Sequence, residues 1–245
     1  MSKAIRVAVA GAAGRMGQAI RAVAESSDEV VIASTFDHRT DAPSLNDCDV
    51  VVDFTDAGAT AEICRVSVAA LKPLVSGTTG HSAEQFAEIE RAAESIAIVH
   101  AANFSLGVNA LFALTRLAAE LLGEEFDLEV VETHHRLKKD APSGTAKRLI
   151  DVLQETRAST LAHGRNGNVG ERPANEIGVH AIRAGDVVGD HTVIFAGRGE
   201  RIELTHRASN RETFAIGALR AARWIVGKPP GLYSMEEVLG LTNDR

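Results

Sequence analysis

Two cysteines, Cys48 and Cys64, are all that 245 residues contain. They form no CxxC pair and no metal-ligand spacing, which fits idle or buried thiols in a reducing compartment. Tyrosine is rarer still. Tyr233 is the only one, and "YSMEE" has no lysine four positions on, so the phenol-activating arrangement of a short-chain dehydrogenase is absent. There is no excess of positive charge: 26 Lys and Arg stand against 33 Asp and Glu, a net of −7, which argues against a general nucleic-acid binder. Long apolar runs are also missing. The start "MSKAIRVAVAG" enters a glycine-rich loop before any signal-peptide pattern develops, so neither export nor membrane insertion is expected, and the cytoplasm is.

What is present is a 45% hydrophobic chain, enough for a full core in one or two domains. "IRVAVAGAAGRMGQAI" reads as a strand, a glycine loop and a helix. The apolar runs "EVVIASTF", "DVVVDFT", "KPLVSGTT" and "IAIVHAANFS" follow, mostly separated by alanine-rich helical stretches, one opened by a Ser82/Gln85 capping-box spacing. Near-continuous Val/Ile runs alternating with helices imply a parallel sheet covered on both faces. The expected fold is therefore α/β: an N-terminal Rossmann-like, doubly wound domain over 1–105, completed by C-terminal helices in 215–245. A second, α+β domain over 106–214 is expected to carry a mixed, mostly antiparallel sheet. In it "IGVHAIRA", "HTVIFAG" and "RIELTHRA" are read as antiparallel neighbours. The polar stretch 159–176, rich in Gly, Asn and Arg, is read as a mobile loop, expected to order around a ligand through Arg165 and Arg172.

Gly11, Gly14 and Gly17 stand after a strand and open a helix, where backbone N–H groups and the positive helix end can meet a pyrophosphate. The spacing departs from GxGxxG, with Ala13 before Gly14. Asp37, twenty residues after Gly17, falls where a carboxylate accepts from ribose hydroxyls. Arg15, His38 and Arg39 are close enough in sequence to meet a 2′-phosphate, so both NADH and NADPH are expected to serve. "SGTTG", with Gly77 to Thr79, and "AANFS", with Ala101 to Ser105, leave strands at the carboxyl edge, where open α/β sheets bind ligands.

Residues 130–149, "VVETHHRLKKDAPSGTAKRL", carry the other chemistry. Glu132, Thr133 and His134 end a strand, a basic loop follows, and Ser143, Gly144 and Thr145 begin a helix. Such a start offers free N–H groups and hydroxyls to an oxyanion. Lys138 adds a compact cation, and His134 or His135 a group that titrates near neutrality. A metal is disfavoured: adjacent histidines on a strand end point apart, and Arg136, Lys138 and Lys139 would repel a divalent ion.

These residues resemble the signature of the dihydrodipicolinate reductase family. "VAGAAGRMG", "VDFT", "SGTTG", "AANFSLGVN", "ETHHRLKKDAPSGTA", "RAGDVVGDH" and "LTHRASNRETFAIGALRAA" are similar to its successive motifs in order. The resemblance implies NAD(P)H-dependent reduction of 4-hydroxy-tetrahydrodipicolinate, with His134 as acid/base and Lys138 as second proton donor. It places the substrate dicarboxylate at His135, Ser143, Gly144 and Thr145. The cofactor falls at Gly11, Ala12, Ala13, Gly14, Arg15, Met16, Asp37, Gly77, Thr78, Thr79, Ala101, Ala102, Asn103 and Phe104. A homotetramer joined through the second domains is implied too. Two departures stand out: His38 and Arg39 where many relatives carry an arginine beside the ribose acid, and a short connection from Asp37 to Asp49. The rival reading is a non-catalytic nucleotide sensor on the same fold, since fold alone does not fix function.

Overall fold

A computed structural model describes residues 3–37, 45–210 and 212–241; His38 and Arg39 lie outside the described residues. In chain order the first elements are β1 (Ile5–Ala10), α1 (Arg15–Glu25), β2 (Val30–Phe36), β3 (Val50–Asp53), α2 (Thr60–Ala69), β4 (Leu74–Ser76), α3 (Ala83–Ala93) and β5 (Ala97–His100). Then come α4 (Leu106–Leu122), β6 (Asp127–His134), α5 (Gly144–Thr156), β7 (Thr160–His163), β8 (Glu176–Arg183), β9 (Gly189–Gly197) and β10 (Glu200–Ala208). α6 (Glu212–Ile225), β11 (Gly231–Tyr233) and α7 (Met235–Leu239) close the chain. Two compact units result, one of residues 1–106 and 212–245, the other of 107–211.

The first unit holds a six-stranded sheet in the order β11-β5-β4-β3-β1-β2, parallel throughout. Val7 to Ala10 and Val50 to Val52 are fully buried, because helices cover both faces and leave no polar side for an alternating pattern. Each such valine contributes about 1.5–3 kcal/mol by leaving water. Ser82 and Gln85 form the expected capping box on α3. The strand order reverses beside β1, which has β2 on one side and β3 on the other. That switch point opens a crevice at the carboxyl ends of the strands, where the glycine loop lies. Helix α6 returns with seven buried residues, mostly alanine, and β11 adds an edge strand beside β5, too short to be read from sequence.

The second unit is built on a five-stranded sheet, β10-β9-β6-β8-β7. It is mixed, as expected, but its pairings divide evenly: β10/β9 and β9/β6 are antiparallel, β6/β8 and β8/β7 parallel. The correction has a topological cause. β8 and β9 do not pair; they flank β6 on opposite sides, so residues 184–188 must cross the carboxyl end of β6. Helices α4 and α5 cover one face through Val108, Leu111, Phe112, Leu149 and Leu153. Residues Leu106–Glu125 are long and apolar enough to cross a membrane by length and composition, a stretch not recognised as such in the sequence; here its apolar stripe packs on this sheet.

The stretch read as a mobile loop also changes. It contains β7, paired parallel with β8, and its two arginines are already bonded. Arg165 contacts Glu129 and Glu176, while Arg172 reaches Asp127 and the carbonyls of Leu128 and Glu176. Those guanidiniums fasten the segment to the sheet and are not held open for an anion.

Candidate active site

In the first unit the glycine loop is dictated by close backbone approach. Gly11 has φ +78°, and a Cβ there would lie 2.6 Å from the Phe54 carbonyl oxygen; a side chain is excluded twice over. At Gly17 a Cβ would lie 2.3 Å from the Gly11 carbonyl oxygen and 2.6 Å from Ala12 Cα, so α1 can pack against the loop only with glycine. Gly14 is the N-cap of α1 and supplies no side-chain cap, and the first turn has no acidic residue. The helix start at Arg15 and Met16 therefore keeps its positive end for a ligand anion. Ala12 is buried, and the Ala13 N–H donates to Asp37 Oδ1 at 3.5 Å, which brings the acid at the end of β2 back to the loop.

The other two strand ends are fastened by a residue not singled out in the sequence, Asp53. Its buried carboxylate accepts from Thr55 N at 3.0 Å, Thr55 Oγ1 at 2.6 Å, Ser76 Oγ at 3.0 Å and Thr78 Oγ1 at 2.9 Å. One acid thus ties the turn after β3 to Gly77, Thr78 and Thr79. Gly77 is again forced, since a Cβ would meet the Phe54 ring at 2.2 Å. The neighbouring segment Ala101 to Phe104 is held by Ala101 N donating to the Ser76 carbonyl and by Asn103 Oδ1 accepting from Ser105 N. Phe104 packs at 5.6 Å on Phe54. Glycine loop, acid and strand-end turns fit an elongated, anion-bearing ligand along this edge.

In the second unit the crossover beyond β6 gathers a cluster of titratable groups. His134 ends β6 opposite Arg183, and its carbonyl accepts from Ala184 N at 2.9 Å. The residue is 8% exposed, and its Nδ1 is hydrogen-bonded with Glu132 Oε2 at 2.5 Å. Arg183 grips both Glu132 oxygens at 2.8 Å, and Ser143 N donates to Oε1 at 3.2 Å. Burial alone would raise the Glu132 carboxyl, but the hydrogen bonds from Arg183 and His134 outweigh it and hold the group below the usual carboxylate range. Lys138 Nζ lies 2.9 Å from Asp140 Oδ1, and His135, half-buried, accepts from Lys138 N through its carbonyl.

The helix start divides in two. Ser143 caps α5, its Oγ accepting from Ala146 N at 3.2 Å and sitting 3.1 Å from His191 Nε2. Its N–H is bonded to Glu132, and its hydroxyl bridges Ala146 and His191. Gly144, exposed, and Thr145, half-buried, follow it as the first two residues of α5.

Arg183 and His191 escaped the sequence reading because nothing local distinguishes them; only their place in "HAIRAGDVVGDH", across the crossover, hints at it. His191 is 3% exposed, and its ring meets that of His134 edge-on at 5.1 Å. Burial first, and then the nearby His134, push it down from 6.5 to about 4. Between those values the unfolded chain binds a proton that the fold does not, so stability rises with pH across the window and falls as acid is added. Between about pH 8 and about pH 5 this residue is expected to remove about 2 kcal/mol of stability. Urea unfolding at the two pH values, compared with His191→Gln, checks it. An equal pH loss in both proteins would refute it.

Comparison with known proteins follows the same division. The model described as "Dihydrodipicolinate reductase, N-terminus" matches residues 5–104, and that described as "Dihydrodipicolinate reductase, C-terminus" matches 107–239. The chain belongs to the dihydrodipicolinate reductase family. The 4-hydroxy-tetrahydrodipicolinate reductase of Akkermansia muciniphila is 53% identical over 97% of this chain and 99% of its own. That of Myxococcus xanthus is 49% identical over 86% and 78%. Among solved structures, a dipicolinate-bound dihydrodipicolinate reductase from Paenisporosarcina sp. TG-14 superposes with TM-score 0.78 at 25% identity, covering 96% of this chain and 98% of the other.

Proposed function

We propose that this protein is an NAD(P)H-dependent oxidoreductase that reduces 4-hydroxy-tetrahydrodipicolinate to tetrahydrodipicolinate with loss of water, in lysine and diaminopimelate biosynthesis. The observation that carries this reading is the pairing of His134, fixed by Glu132, with a helix start at Gly144 and Thr145 in a family member. A bound reduced nicotinamide supplies hydride. The protein must then protonate the electron density that hydride addition leaves on a conjugated imine. His134 provides that proton, with Lys138 as second donor, poised by Asp140. His135, Ser143, Gly144 and Thr145 hold the substrate carboxylates at the positive end of α5, and Ser143 also caps that helix.

Cofactor contacts belong to the first unit. Gly11 to Met16 receive the pyrophosphate, Asp37 the ribose, and Gly77 to Thr79 with Ala101 to Phe104 border the nicotinamide. Asp37 favours NADH, and Arg15 supplies charge for the extra phosphate of NADPH, so both are substrates. The protein works in the cytoplasm as a homotetramer, without nucleic acid or membrane as partner. A sensor would have no use for a histidine locked onto a buried carboxylate beside an anion-binding helix.

The test couples the enzyme to a synthase that condenses aspartate semialdehyde with pyruvate, and follows loss of nicotinamide absorbance. Turnover with NADH and NADPH, at kcat/KM values within about tenfold of each other, is expected. Tight NADH binding without turnover would sustain the sensor reading instead.

A further inference from the structure

Glu132 has no role in the proton transfer just described, yet one of its oxygens is bonded to His134 and the other to Ser143, the cap of α5. We propose that Glu132, paired with Arg183, is the positioning residue of the reaction: it fixes which nitrogen of His134 exchanges the proton and ties that ring to the α5 helix start. The inference rests on the reading of His134 as the acid.

An ionised carboxylate can only accept hydrogen bonds, so Nδ1, 2.5 Å from Glu132 Oε2, must carry hydrogen. Nε2 is then the atom left for chemistry. On the β9 side that atom keeps its room only because Gly189, which begins the strand, has no side chain. A Cβ at Gly189 would stand 3.0 Å from His134 Nε2 and 3.4 Å from Cδ2. Arg183, bidentate at 2.8 Å, keeps Glu132 ionised although its side chain is 0% exposed. Without that guanidinium the buried acid would be driven toward its neutral form, and the reason for a fixed Nδ1–H would vanish.

The second oxygen accepts from Ser143 N at 3.2 Å. Because Ser143 is the cap of α5, the acid and the anion-binding helix start share one rigid partner. The register of the two depends on a carboxylate on β6, an arginine on β8 and the crossover that brings them together. Glu132 is also bonded twice to Arg183, so a bland structural ion pair joining β6 to β8 is the competing explanation. The two differ in what they do to His134.

Long-range proton–nitrogen NMR of histidine-labelled wild type is expected to show neutral His134 as the Nδ1–H tautomer. The Nε2–H tautomer there would overturn the proposal, whatever any variant does. In Glu132→Gln an amide sets its own N–H donors among three groups that already donate, so the ring loses its fixed acceptor. That variant is expected to lose about 10²-fold or more in kcat, with KM for the dicarboxylate within about threefold, and to populate the other tautomer. Glu132→Asp, which keeps a carboxylate, is expected to recover at least about tenfold of the kcat loss. A Glu132→Gln protein that folds, and keeps kcat and the tautomer, refutes the positioning role even if it is less stable. If His134→Gln is inactive in that same comparison, the acid assignment survives alone; if His134→Gln is fully active, the assignment itself falls. Should Glu132→Gln not fold, the wild-type spectrum still decides.

Discussion

His134→Gln is expected to lower kcat by about 10²- to 10⁴-fold while KM for the dicarboxylate stays within about threefold. Glutamine keeps a polar side chain of similar reach but cannot give up a proton at neutral pH. The Glu132–Arg183 pair does not depend on the ring, since its two 2.8 Å bonds are made without it. Ser143 stays bonded to Glu132, so the helix start at Gly144 and Thr145 keeps its place. The loss therefore falls on the chemical step rather than on binding. Thr145→Val is the counterpart. It removes a hydroxyl from the mouth of α5 and is expected to raise KM by about tenfold, or about 1.4 kcal/mol, with kcat little changed. Steady-state kinetics on both variants decides, and equal effects on kcat and KM in each would refute the division.

Gly17→Ala is expected to weaken NADH binding by at least about tenfold and to lower stability by about 1–3 kcal/mol. The methyl would stand 2.3 Å from the Gly11 carbonyl oxygen and 2.6 Å from Ala12 Cα, and both are backbone atoms that no rotamer change can move. Either α1 retreats from β1 or the loop is pushed outward. Both responses displace the N–H groups at the start of α1 from the place where a pyrophosphate would meet them. Helix and loop belong to the same core layer, with Ala12 and Ile20 buried in one cluster, so relief cannot stay local. Fluorescence titration with NADH and a thermal melt check both parts. Unchanged affinity in a folded variant would mean that the loop does not carry the cofactor.

Much of this was legible because it is local. Val7 to Ala10 and Val50 to Val52 declare buried parallel strands by having no polar alternation. The glycines at 11, 14 and 17 declare a close turn by what they lack, and the Ser82 cap is set within four residues. The stretch "ETHHRLKKDAPSGTA" also shows its strand end, loop and helix start without help from elsewhere.

The misreadings share a different cause. Assigning "IGVHAIRA" to an antiparallel partner assumed that neighbours in sequence are neighbours in the sheet, and β6 intervenes. Arg165 and Arg172 looked available to a ligand because Glu129, more than thirty residues away, is invisible to a local reading. The bonds of Ser143 to Glu132 and His191 were hidden for the same reason: those partners come from two other strands.

By itself, then, the sequence determined the Rossmann-like α/β half, the glycine loop, the acid at Asp37 after β2, and the strand end, loop and helix start around His134. Those follow from periodicity, turn chemistry and residue type, which act over a few positions. Only the tertiary structure decided that β8 and β9 straddle β6, and hence that Arg183, Gly189 and His191 surround His134. Hydrogen bonds between side chains 48 and 51 positions apart depend on strand order, and strand order is a property of the whole sheet that no local pattern encodes.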